Sequence, residues 1–168
     1  PGNKVSAKEH FNFSPERKVI FFGASKMNEM RKGLYLLVHA FAFLQEYIRE
    51  NKVVLLCAGQ EMPELNGMPV KQVGFLSENE LIQAFQAADV FVCPSIEDSG
   101  PLMINQSIIC GTPVVAFETG VASDLVITGE TGYRAIKNDH IDLAEGIRQI
   151  LELSPEDYKS YSRRCREI

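Results

Sequence analysis

The sequence predicts one doubly wound α/β domain built on a six-stranded parallel sheet. Two observations carry that expectation. Short, nearly unbroken apolar runs (VIFF, VVLLCA, VFVC, VVAF) recur along the chain, and most are followed by a longer segment with helical spacing. Strands buried on both faces read as continuous apolar runs, and parallel neighbours need a crossover between them. The length, 168 residues, suits a single domain with a full core.

The elements follow in order. Residues 18–23 (KVIFFG) read as a buried strand. Residues 32–50 form one long helix, apolar almost all round in its first half, with Lys32 at its start. Residues 53–58 (VVLLCA) are a second strand, and 70–75 (VKQVGF) a weaker third. Residues 78–88 form an amphipathic helix with Ser77 as N-cap. Residues 89–93 (DVFVC) are the fourth strand, 101–110 a helix stopped at Gly111, and 113–117 (PVVAF) the fifth strand. A short helix over 121–126, a sixth strand over 132–136, and helices over 140–153 and 155–166 complete the chain.

Composition narrows the function classes. Apolar residues make up 45% and charged residues 23%, which excludes global disorder. The net charge of −5 argues against a nucleic-acid partner. The longest apolar stretch, residues 34–44, is far short of the roughly 20 residues a bilayer demands. No secretory signal opens the chain, whose first residues (PGNK) read like the interior of a longer sequence. Cys57, Cys93, Cys110 and Cys165 form no C-x-x-C pair; they read as buried free thiols in a reducing cytoplasm.

Ligands of doubly wound sheets bind beyond the carboxyl ends of the strands, so the post-strand loops carry the chemistry. After the first strand comes GASKMNEMRKG, with Lys26, Arg31 and Lys32 beside a helix start. Cations there oppose the helix dipole, which suits a phosphate site; a solvated basic loop is the other reading. After the fourth strand comes PSIEDSGPLMINQSIICGTPVV. Ser95, Glu97, Asp98 and Ser99 crowd its tip, Gly100 permits close approach of a ligand, and Pro101 opens the next helix. A capping role for these acids is the alternative, although a cap needs only one of them. The G-x-G-x-x-G, P-loop and G-x-S-x-G signatures are absent, and His10, His39 and His140 lack zinc-site spacing.

The run PSIEDSGPLMINQSIICGTPVVAFETGVASDLV, followed by TGETGYRA, resembles the family-four retaining glycosyltransferases of the GT-B fold. The RKG after the first strand, VGFLSENEL and ADVFVCPS fall in the family's order, so the likeness covers nearly the whole chain. It implies a Rossmann-like, C-terminal donor-binding half of a two-domain enzyme, residues 1–168, lacking its N-terminal acceptor domain and therefore inactive alone. The implied substrate is a nucleotide-diphosphate-sugar, with no cofactor and no metal. The acceptor would be a glycan or lipid-linked molecule, in a setting such as polysaccharide assembly. The enzyme would be cytoplasmic, with possible peripheral contact between the basic last helix and the inner membrane face.

By the same resemblance, Glu97 and Lys32 are the catalytic residues, at the transferred sugar and at the donor diphosphate. Gly74 and Phe75 would lie against the nucleobase. Ser99 and Gly100, with the helix start at Pro101 and Leu102, would hold phosphate. Asn105 stands where the family has a second carboxylate for the ribose. Ala24 stands where the family has an arginine, leaving Lys26 or Arg31 as its substitute. Asp98 and Asp124 replace a glycine and a glutamate. The alternatives are a catalytically silent nucleotide- or sugar-binding module and an epimerase or phosphorylase of the same shape.

Overall fold

The computed structural model describes residues 3–26, 29–65, 67–97 and 102–168. It opens on a helix that the apolar pattern did not reveal, α1 (Lys4–His10). Strand β1 (Val19–Ala24) follows, then a 3-10 turn over Met30–Lys32 and helices α2 (Leu34–Phe43) and α3 (Gln45–Glu50). Next come β2 (Val54–Gly59), β3 (Val70–Gln72), α4 (Glu78–Ala87), β4 (Val90–Cys93), α5 (Leu102–Cys110) and β5 (Val114–Phe117). The chain ends with α6 (Ala122–Leu125), β6 (Gly132–Ala135), α7 (His140–Leu151) and α8 (Pro155–Glu167).

The strands form one parallel sheet in the order β3-β2-β1-β4-β5-β6. The expected doubly wound, Rossmann-like architecture is therefore observed. The chain builds outward from β1 to β3, then returns to place β4 on the other side of β1. The order thus reverses between β1 and β4, and the crevice at their carboxyl ends is the place such sheets reserve for ligands.

Alternate strand residues feed two cores. Ile20, Phe22, Val90 and Val92 pack with α2, α3 and α7, chiefly through Leu37, Phe41, Ile48, Leu143 and Ile147. Val19, Phe21, Phe91 and Val114 face α1, α4, α5 and α8 with Phe85, Ile104, Ile108 and Cys165. The Phe21, Phe85 and Phe91 rings meet at centroid distances of 5.0–5.7 Å, edge-on or tilted. Such contacts add about 1 kcal/mol each to the area they bury.

Three expectations are corrected. The single helix over 32–50 is broken twice: Gly33, at φ 69°, separates the 3-10 turn from α2, and Leu44 separates α2 from α3. Lys32 therefore ends the 3-10 turn and does not begin a helix. The third strand stops at Gln72, because Gly74 takes φ 68° and turns the chain away. The capping of α4 is as expected and more complete. Ser77 Oγ accepts from the Glu80 amide while the Ser77 amide donates to Glu80, a reciprocal box.

At the amino rim, Asp89 ties these layers together. Its carboxylate accepts from the Val19 amide at 2.8 Å and pairs with Lys4 at 3.1 Å and Lys8 at 3.2 Å. Lys8 is almost fully buried and also donates to the Pro15 and Arg17 carbonyls. Burial lowers the proton affinity of both lysines, and Asp89 opposes that. Removing one partner of a buried pair strands the other charge, so Asp89→Ala should cost about 3 kcal/mol in urea unfolding. A loss below about 1 kcal/mol would show that the pair does not anchor α1.

No disulfide joins the cysteines among the described residues: Cys57, Cys93 and Cys165 are buried and Cys110 is half-exposed. Burial pushes Cys57 and Cys165 up to about 12, so neither offers a thiolate near neutrality. Brief iodoacetamide treatment at pH 8, mapped by mass spectrometry, should mark Cys110 first and the other three only on unfolding. Equal labelling of Cys57 in the folded chain would contradict this.

Candidate active site

The carboxyl ends of β1 and β4 open into a cavity of about 440 Å³. Phe22, Phe91, Val92 and Met103 give it apolar walls, and Ser25, Arg31, Lys32 and Ser95 supply its polar groups. It lies at the topological switch point.

Local sequence explains each wall. β1 runs out through Gly23 and Ala24, and a β-carbon at Gly23 would press on Met103 Cε at 2.9 Å, so glycine lets α5 pack over the strand end. β4 stops at Cys93 because Pro94 has no amide hydrogen for the ladder. Ser95 is buried, with its hydroxyl 3.7 Å from Cys93 Sγ and its carbonyl accepting from Thr119 Oγ1 at 3.2 Å. The Ile96 amide donates to the Arg31 carbonyl at 2.8 Å. Three post-strand loops, following β1, β4 and β5, are thereby stitched together.

Gly33 closes the stitch. Its left-handed backbone seats it against Pro94, and any β-carbon there would be driven into the Pro94 carbonyl. This contact turns Arg31 and Lys32 toward the β4 loop.

The residues proposed from sequence distribute as follows. Arg31, Lys32 and Leu102 line the cavity. Lys26 is exposed on the same loop and shares Glu29 with Arg31, at 3.7 Å and 2.6 Å respectively. Gly74 and Phe75 stand exposed beyond β3 on the same rim, where the Gly74 carbonyl accepts from the Gly59 amide at 2.7 Å. Glu97 is exposed two residues past Ser95, and Asn105 is half-buried on the second turn of α5; neither lines the cavity. Ser99, Gly100 and Pro101 lie outside the described residues. The sequence reading missed Glu29, Ser25 and Met103. Glu29 carried one signal, as the sole acid in a basic loop, but its pairing with Arg31 depends on the turn that Gly33 permits.

The arrangement provides two cations, buried backbone turns and an apolar floor in one crevice, which suits a phosphorylated ligand with an uncharged portion. The profile of the family described as glycosyl transferases group 1 matches residues 16–153.

The chain belongs to the glycosyl transferases group 1 family.

Among curated members similar to it, D-inositol 3-phosphate glycosyltransferase of Corynebacterium aurimucosum is 30% identical over 138 residues, covering 74% of this chain and 33% of the relative. D-inositol 3-phosphate glycosyltransferase 2 of Catenulispora acidiphila is 26% identical over 167 residues, covering 90% and 39%. Among solved structures, sucrose-phosphate synthase from Thermosynechococcus elongatus superposes with a TM-score of 0.78 at 26% identity, covering 97% of this chain and 43% of that one. Anabaena Alr3699/HepE, solved in complex with UDP-glucose, superposes at 0.77 and 19% identity, covering 98% and 46%; it speaks for the fold. This group 1 chain thus spans less than half the length of each of these relatives.

The Gly33 contact generates a test. Gly33→Ala must abandon its backbone conformation and displace Pro94, so unfolding by urea should register a loss on the order of 2–4 kcal/mol. The amide resonances of residues 94–96 should shift with it. A variant as stable as the parent would refute the close approach.

Proposed function

We propose that this chain is the donor-binding domain of a retaining glycosyltransferase that takes a nucleotide-diphosphate-sugar. The single observation that carries the reading is the seating of Arg31 and Lys32 in the β1/β4 crevice, within a fold whose solved relative holds UDP-glucose. In this reading the diphosphate lies between the end of β1 and the β4 loop. Lys32 and Arg31 neutralise it, with Lys26 near the entrance. Backbone amides around Ser99 and Gly100, and the start of the helix after Pro101, complete the phosphate grip. The base rests against the turn at Gly74 and Phe75, where open space beside Gly74 leaves its backbone accessible. Asn105 bonds the ribose through its amide.

The chemistry is electrostatic. The donor C1–O bond breaks, its electron pair leaves with the nucleoside diphosphate, and positive charge grows on the sugar ring. Lys32 and Arg31 stabilise the departing diphosphate, and cationic side chains rather than a bound cofactor take up its charge. Glu97 holds hydroxyls of the transferred sugar. The acceptor hydroxyl attacks C1 on the face the diphosphate leaves, which retains configuration, and the departing phosphate oxygen takes the acceptor's proton. A second domain supplies that acceptor, in keeping with the fraction of its relatives that this chain spans.

Calorimetric titration of the chain with UDP, GDP and ADP tests the reading. At least one nucleotide should bind, and Lys32→Ala should weaken it roughly tenfold or more. No binding of any nucleotide, or equal binding to both proteins, would overturn it.

A further inference from the structure

A second cavity, of about 780 Å³, lies on the opposite rim of the sheet from the candidate active site. It opens between α1, the end of α7, and α8, beneath the amino ends of β1, β4 and β5. Six cationic side chains line it: Lys4, Lys8, Lys18, Lys159, Arg163 and Arg166. Two carboxylates, Glu16 and Asp89, face them, which leaves an excess of four positive charges in a chain whose net charge is −5. A positive cleft in an acidic protein concentrates field where low-dielectric walls surround it.

The cations fall into two tiers. Deep in the groove, Lys4 donates to the Ala88 carbonyl and the Tyr158 hydroxyl, Lys8 donates to the Pro15 and Arg17 carbonyls, and the two share the Asp89 carboxylate, so their hydrogen bonds are met within the protein while one net positive charge adds to the field of the groove. Lys18 beside them donates to the Leu151 carbonyl. At the mouth, Lys159, Arg163 and Arg166 follow i, i+4, i+7 spacing and share a face of α8. Among the described residues, Arg163 pairs only with the exposed Glu167, at 3.8 Å. Lys159 and Arg166 have no carboxylate within ion-pair distance among the described residues. Arg166 is held against Gly111, where a β-carbon would come within 2.6 Å of its Nε; with φ 78°, that position favours glycine doubly. The guanidinium packs over Gly111 and donates to Ser162 Oγ one turn back on α8.

The walls between the tiers are apolar, formed by Leu151, Leu153, Pro155 and the ring of Tyr158. The cations at the mouth, backed by the positive field of the inner lysines and bordered by apolar walls, match an anion carrying more than one negative oxygen and an attached uncharged group. We propose that this groove binds a phosphate-bearing ligand, a chemistry shared by soluble diphosphate compounds and phospholipid headgroups. The site is separate from the β1/β4 crevice, and its occupancy does not depend on the glycosyltransferase reading.

Two probes separate the sources. Inorganic pyrophosphate is titrated into the ¹⁵N-labelled chain, and the chain is co-sedimented with vesicles of phosphatidylcholine, with and without 30% phosphatidylglycerol (a composition of roughly that order shows charge dependence). Each is repeated with Lys159→Glu/Arg163→Glu, whose positions are exposed, and with Lys32→Ala. Thermal melting followed by circular dichroism confirms the folded state, and the milder Lys159→Gln/Arg163→Gln stands in if charge reversal unfolds the chain. The expected result is that at least one probe binds with shifts in the α8 amides, weakens about fivefold or more in the α8 variant, and is unchanged by Lys32→Ala. Pyrophosphate binding alone assigns a soluble ligand; sedimentation with the anionic vesicles assigns a headgroup. Shifts confined to residues 23–33 and 94–96 without vesicle binding, no binding of either probe, or indifference to the α8 variant would each overturn the proposal.

Discussion

Gly33 rests against Pro94, and the functional rim of this domain depends on that backbone contact. β1 and β4 are neighbours in the sheet, with Phe21 paired to Phe91 from far along the chain, and the loops that follow them meet only if one yields its side chain. Glycine yields it. With the approach made, the Arg31 carbonyl receives the Ile96 amide, and Arg31 and Lys32 are presented to the crevice. A β-carbon at that point would separate the loops and scatter the cations. The same left-handed residue also ends the 3-10 turn and starts α2, so one conformational choice sets both helix position and charge position.

Charge is partitioned between the two rims of the sheet. On the carboxyl rim, Glu29 pairs with both Arg31 and Lys26. On the amino rim, Asp89 is outnumbered by Lys4 and Lys8, and burial works against both lysines. The first arrangement, like the second, sets two cations against one carboxylate and keeps an excess of positive charge in the loop. The second leaves an excess that the fold carries because Asp89 also receives the Val19 amide and so locks the start of β1 to that of β4.

Strands β1, β2, β4 and β5 were legible in the sequence because burial on both faces leaves an unbroken apolar run, as in VIFF and VFVC. Ser77 and Glu80 were legible for a local reason, since a capping box involves only four consecutive residues. What stayed hidden was non-local. The break at Gly33 is imposed by Pro94, a partner far along the chain. Helix α1 escaped notice because one of its two buried residues is Lys8, which hydrophobic periodicity counts as surface. In the site, Arg31 and Lys32 could be read from their place after a strand, whereas the half-buried Asn105 and exposed Glu97, which the resemblance implied, stand outside the cavity wall.

The central claim is that the switch-point crevice grips a diphosphate. A crystal structure of the chain soaked with UDP tests it most directly. The account requires the two phosphates between Gly23–Ser25 and Pro94–Ser95, with Lys32 Nζ within hydrogen-bonding reach of a phosphate oxygen. Phosphates found elsewhere on the chain, with that crevice filled only by solvent, would contradict it.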